Sequence, residues 1–315
     1  MNFTTKIPIA KYQFPIDYDS KIMSLGSCFA ENMAEKFDYF KFQSVVNPFG
    51  IIFNAVSLER IVKRIVNQEL FTEKDIFYLN ELWHCFEVHS SISYPDKDVF
   101  LTNLNLLVEQ SKNLLIEITH CIITFGTSWV YRNIETNQIV ANCHKIPQKQ
   151  FTKELLSIET TQKSIKNIIS LVHTINKSVK FIFTVSPVRH IKDGFIENNV
   201  SKAHIISALH SSIFELTTTH YFPSYEIILD ELRDYRFYKS DMLHPNQVAV
   251  DYVWIKFFEN YVSEKEFATM QEVCDIQKMI AHKPLNPNSV QNLKLKLKNQ
   301  EKISRLQHNS PQIIF

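Results

Sequence analysis

The chain has 315 residues, 45% hydrophobic and 12% aromatic, with 34 Lys and Arg against 33 Asp and Glu for a net charge of +1. That apolar content supports a buried core and excludes global disorder. The balanced charge offers no basic surplus for non-specific nucleic-acid binding.

Short apolar runs alternate with helical periodicity along the chain. Ile22–Leu25 reads as a strand ending at Gly26, and Phe29–Phe40 as a helix with Phe29, Met33, Phe37 and Phe40 on one face. Asn47–Gly50 is a turn and Asn54–Val66 a helix. Ile76–Val88 reads as two strands about Asn80-Glu81, and Val99–Ile118 as a long amphipathic helix. Cys121–Phe125 is a buried strand ending at Gly126, and Trp129–Tyr131 pairs with Ile139–Cys143 as a hairpin. Thr152–Ile175 reads as helix, Lys180–Val185 as strand, Ser201–Leu216 as helix, Tyr225–Leu229 as strand and Pro245–Tyr261 as helix. Alternating strands and helices predict a three-layer α/β/α domain on a parallel sheet, with the ligand beyond the carboxyl ends of the strands. From Ser263 the pattern becomes a helical C-terminal extension: Glu264–Ala281, a break at Pro284–Pro287, then the basic stretch Leu293–Leu306. That last stretch reads as a solvated face, with an acidic partner as the sharper alternative. The domain boundary is expected between residues 262 and 263.

No apolar run approaches the ~20 residues of a spanning helix. The N-terminal MNFTTKIPIA lacks the apolar stretch of a secretory signal. The five cysteines, Cys28, Cys85, Cys121, Cys143 and Cys274, are odd in number and form no C-x-x-C, unlike a disulfide framework or zinc ribbon. A cytoplasmic protein with reduced thiols, no metal and no cofactor is expected.

Only four glycines are present, Gly26, Gly50, Gly126 and Gly194, where average composition of ~7% predicts about 22. Each is therefore expected where the backbone needs positive φ or a close approach. Gly26 precedes Ser27 and Cys28 at a strand-to-helix turn. A nucleophile there has its own N–H and the helix dipole aimed at a developing anion, and the dipole favours a thiolate. Ser240-Asp241-Met242-Leu243-His244-Pro245-Asn246 opens a later helix. Its Asp and His, three apart, suit a general base oriented by a carboxylate. Gly126-Thr127-Ser128 follows a buried strand, and Ser128 is a candidate donor into the cleft. His84 and His89, five apart, fall on opposite faces of a strand, which argues against a shared metal. Gly194 fits an ordinary loop turn, with a turn that shapes a lid over the cleft as the sharper alternative.

Gly26-Ser27-Cys28-Phe29-Ala30, with FGTSWVYR, NCHKIP at Asn142–Pro147, SPVRH at Ser186–His190 and SDMLHPN at Ser240–Asn246, resembles the GSCFA family, within the SGNH/GDSL hydrolase superfamily. The resemblance covers roughly residues 20–260. It implies a flavodoxin-like fold and acyl-ester chemistry, with His244 as general base, Asp241 as its orienter and Gly50 as an oxyanion donor. It sets Ser128 where an Asn is usual, so Asn142 or His144 is a further candidate donor. An ungapped match puts Cys28 at the nucleophile position, and a turn differing by one residue puts Ser27 there. Arg189 and His190, at the same strand edge, are candidates for an anionic or acyl-carrier group. The expected activity is hydrolysis of a small-molecule or carbohydrate acyl ester. Acyl transfer or deacetylation on a carbohydrate or acyl-CoA is an alternative, and a non-catalytic binding module another.

Overall fold

The computed structural model describes residues 4–214 and 216–315. In chain order its first half comprises β1 (Lys21–Gly26), α1 (Cys28–Tyr39), β2 (Gln43–Val46), α2 (Ala55–Asn67), β3 (Ile76–Leu79), β4 (Leu82–Cys85), α3 (Lys97–Glu117), β5 (His120–Phe125), β6 (Trp129–Asn133) and β7 (Ile139–Val140). The second half comprises β8 (Phe151–Leu155), α4 (Ile158–Ile175), β9 (Lys180–Val185), α5 (Phe195–Ile213), β10 (Thr219–Tyr221), the short α6 (Ser224–Glu226), α7 (Gln247–Tyr261), α8 (Phe267–Ala281) and α9 (Val290–Asn309).

Five strands form a parallel sheet in the order β2-β1-β5-β9-β10. This is the flavodoxin-like order, with its switch point between β1 and β5. Period-two alternation divides each central strand between two cores. Met23, Leu25, Cys121, Ile123, Phe181 and Phe183 pack toward the apolar faces of α2, α3, α4 and α5. Ile22, Ile122 and Ile182 pack toward Phe29 and Phe37 of α1 and Val253 and Phe257 of α7. Burial on both faces explains why these strands read as continuous apolar runs. The expected three-layer α/β/α fold is the one observed.

Three local expectations are corrected. Phe151–Leu155 is not the start of a helix but β8, paired antiparallel with β6 through Trp129 opposite Leu155. The helix begins after Ser157, whose Oγ accepts the Thr160 N–H. Tyr225–Leu229 is not a strand: it lies in α6 and the π-helical Ile227–Leu232 that follows, with Ile227 and Ile228 buried. The fifth strand is Thr219–Tyr221 instead, and a short apolar run does not distinguish strand from buried helix. Finally, α5 starts at Phe195, directly after Gly194 (φ +113°). Glu215, within the helix expected there, lies outside the described residues, as do residues 1–3 of the N-terminus.

The expected boundary falls between α7 and α8. Helix α8 buries Met270, Val273 and Ile276 in the same core as Phe37 and Trp254, and α9 adds Leu306. Among the described residues no helix is long and apolar enough to cross a membrane.

Candidate active site

The turn from β1 into α1 is assembled from backbone contacts that only glycine permits. Gly26 has φ +123°, and a Cβ there would stand 2.1 Å from Thr124 O. Its N–H donates to Asn47 Oδ1 at 2.8 Å, and the Ser27 N–H donates to Thr124 O at 2.9 Å. Ser27 is the N-cap of α1, fully buried, its Oγ accepting the Phe29 N–H at 3.3 Å. Cys28, the first residue of the helix, lines a cavity of about 430 Å³ together with His244, Asn54, Asn142, Arg189 and His190. The two nucleophile candidates therefore part: Ser27 caps the helix, and Cys28 borders the cavity. As the first helical residue, Cys28 has an N–H without an intrahelical acceptor.

His244 stands just before α7. Its Nδ1–H donates to Asp241 Oδ2 at 2.7 Å. Asp241 Oδ1 accepts the N–H groups of His244 at 3.0 Å and Leu243 at 2.8 Å. These three hydrogen bonds, the two from the backbone foremost, hold the Asp241 carboxyl down to about 2. The carboxylate accepts at Nδ1, so Nε2 keeps its lone pair for a proton. In the resting structure no hydrogen bond joins Cys28 Sγ to His244 among the described residues. Burial pushes the Cys28 thiol up and Glu31 adds to this, while Lys202 and Lys239 pull it back. The helix N-terminus predicts a favoured thiolate, whereas burial raises the thiol above its ordinary value.

The expected oxyanion donors are redistributed. The Gly50 N–H (φ +74°) donates to Asn47 O at 2.7 Å, which closes the Asn47–Gly50 turn and leaves it unavailable to a substrate. Ser128 is buried, and its hydroxyl donates to Ser201 O at 3.1 Å, pinning the β5–β6 loop to α5. His144 is also buried, its Nε2–H donating to Cys85 O at 2.7 Å, and burial pushes it down to about 4. It underpins the loop and does not line the cavity. Asn142 does line it. Its Oδ1 accepts the His144 N–H at 2.8 Å, which leaves its NH2 free to donate.

Asn54 was read only as a helix start. It caps α2 through Oδ1, which accepts the Ser57 N–H at 2.9 Å, and it lines the cavity. Its NH2 is a second carboxamide donor in a residue that lines the same cavity as Cys28. Gly126 brings these parts together. Its N–H donates to Phe53 O at 2.8 Å, and a Cβ on it would meet Phe53 Cδ1 at 2.9 Å and Ser27 Cβ at 3.3 Å. The sequence signal for Asn54 was present, since an Asn cap engages one side-chain oxygen and leaves two donors.

The cavity wall is basic and aromatic. The Arg189 guanidinium carbon lies 4.3 Å from the Tyr238 ring centroid and 4.9 Å from that of Tyr235. It donates to Tyr235 Oη at 3.1 Å, and no carboxylate pairs with it among the described residues. Burial, with Lys202 and His244 adding, pushes His190 down to about 3, so its ring is neutral. Trp129, Tyr131 and Phe53 complete the apolar lining. A larger, more open concavity of about 930 Å³ between α4 and α5 is bordered by His173, His210 and Phe214. It holds no strand-end residue.

These features define a three-layer α/β protein with thiol, imidazole and carboxylate gathered at the switch point of its sheet. The model of the GSCFA family matches residues 21–257, and the chain belongs to that family. Among curated proteins none matches the chain.

Proposed function

We propose that this GSCFA protein is an SGNH/GDSL-type hydrolase that cleaves acyl esters with Cys28 as nucleophile. One observation carries the reading. Cys28 borders the same cavity as His244, whose Nδ1–H is held by Asp241, while Ser27 is buried as the helix cap. In the first half-reaction Cys28 Sγ attacks the acyl carbon and its proton passes to His244 Nε2. The oxyanion is held by the Cys28 N–H and the carboxamides of Asn54 and Asn142. Collapse breaks the ester C–O bond, and the proton on Nε2 goes to the leaving alcohol. Water then adds to the thioester, giving a proton to Nε2. The C–S bond breaks, and that proton returns to sulfur.

Arg189 gives the substrate a polarity. A cation without a carboxylate partner at the cavity wall favours an acyl ester that carries an anionic group. The aromatic surface of Trp129 and Tyr131 favours a second reading, acyl transfer to a sugar hydroxyl, because sugar rings stack on such surfaces.

The test uses short-chain p-nitrophenyl esters and acyl-CoA thioesters, with and without sugar acceptors. Cys28→Ala and His244→Ala are expected to lower kcat about a thousandfold or more. Consumption of acyl-CoA that depends on a sugar establishes the transferase reading. No turnover across the panel overturns both and leaves a binding module, and full turnover by His244→Ala overturns the mechanism.

A further inference from the structure

Lys202 belongs to α5 and is 2% exposed, yet no carboxylate pairs with it among the described residues. Its Nζ donates to Gly126 O at 2.7 Å and to Ser186 O at 2.6 Å. Those carbonyls follow the ends of the adjacent strands β5 and β9, and Gly126 packs against Ser27, the residue before Cys28, where a Cβ on the glycine would meet Ser27 Cβ at 3.3 Å. A buried ammonium costs several kcal/mol unless paired, so its retention here calls for a reason. Packing alone is served by Met or Leu, and tethering two carbonyls needs only two N–H groups, which a neutral amine also has.

We infer that Lys202 is a positioning residue for Cys28: it ties the end of β9 to the end of β5, which packs against the β1–α1 turn, and supplies the buried positive charge that offsets the negative charge arising on sulfur. The inference rests on the reading of Cys28 as the cavity nucleophile. The charges acting on Cys28 come from three elements: Glu31 on α1 opposes its ionisation, and Lys202 on α5 and Lys239 in the loop before His244 favour it. Lys202 in turn acts on Cys28 and His190, and the Tyr225 ring centroid lies 5.8 Å from its Nζ. Burial brings Lys202 down to about 7, so its charge is present below that pH and wanes above it.

The test reads the thiol directly. The iodoacetamide alkylation rate of the Cys28 peptide is followed against pH by mass spectrometry in the full-length protein, Lys202→Met and Lys202→Gln. Gln keeps carboxamide N–H groups for the carbonyls and removes the charge. Both variants are expected to alkylate about tenfold more slowly at pH 6, where Lys202 carries its charge, one unit of thiol pKa being tenfold in thiolate, with the difference narrowing above pH 7. A wild-type profile in folded Lys202→Gln overturns the role of the charge. A second measurement leaves Lys202 in place: lysine Cε NMR compares protein alkylated at Cys28 with iodoacetate, which adds a negative charge, and with iodoacetamide, which does not. The Lys202 midpoint is expected to lie higher in the carboxymethylated protein, and equal midpoints overturn the inference. Neither readout uses ester turnover. A protein that cleaves no ester but shows both shifts keeps this inference and loses the hydrolase reading.

Discussion

At the scale of single residues, neighbours in sequence divide the work. Ser27 and Cys28 are adjacent, but a helix N-cap directs its oxygen at the backbone of the first turn, and the residue after it projects from the helix end. Ser27→Ala is therefore expected to cost stability, about 0.5–2 kcal/mol as for a lost cap, and to spare most turnover. Urea unfolding and ester kinetics on the same preparation check this, and loss of turnover without loss of stability would return the nucleophile to Ser27. Asp241 acts through His244. Asp241→Asn keeps the size of the side chain but presents an NH2 or a neutral oxygen to Nδ1, so the imidazole tautomer is no longer imposed. A fall in kcat of about 10²–10⁴-fold is expected with KM little changed. The folded Asp241 carboxyl lies at about 2, below the usual carboxylate value. Its contribution to the fold is thus present above the unfolded value of ~3.9 and is lost as pH falls through about 2. Asp241 therefore does not set the acid limb of a rate profile measured above pH 5.

At the scale of elements, the site is the meeting of three loop ends held by backbone hydrogen bonds. Gly26 touches Thr124 O, Gly126 touches Phe53, and Lys202 ties Gly126 O to Ser186 O. A methyl at Gly26 meets fixed backbone in a positive-φ conformation. Gly26→Ala is expected to destabilise by more than the ~1–3 kcal/mol of such strain, read as a lowered denaturation midpoint. An unchanged midpoint would mean that the β1–α1 turn is not built as described. Lys202 gives a pH signature of its own. Its folded value of about 7 lies below the unfolded ~10.4. The unfolded chain then binds more protons between these values, and stability rises with pH there. The raised thiols act in the opposite sense only above ~8.5, and the lowered histidines His144 and His190 complete their effect below pH 7. Urea midpoints of the wild type are expected to rise between pH 7 and 8.5, and Lys202→Met to flatten that rise.

At the scale of the whole molecule, the C-terminal helices complete the second core. Met270, Val273 and Ile276 of α8 are at most 4% exposed, and burying each side chain is worth ~1.5–3 kcal/mol. A chain ending at residue 262 is therefore expected to unfold at markedly lower urea than the full chain, and equal midpoints would make α8 an independent appendage. Most of the fold was legible in the sequence. The apolar runs of β1, β5 and β9 each end at a turn signal, Gly26, Gly126 or Ser186-Pro187, which made them legible as strands, and four glycines in so long a chain pointed to the tight turns. Phe151–Leu155 and Tyr225–Leu229 were misread because short apolar segments take strand or helix according to what they pack against. Within the site, residue type and spacing alone brought Cys28, Asp241 and His244 into consideration. Which atoms face the cavity was decided by tertiary structure, because that depends on hydrogen bonds between residues far apart in the chain. Ser201 takes the Ser128 hydroxyl, Cys85 takes the His144 imidazole, and Ser57 takes the Asn54 carboxamide oxygen. Lys202 left no trace in the sequence at all, since its meaning comes only from the two carbonyls that the folded sheet brings to its amine.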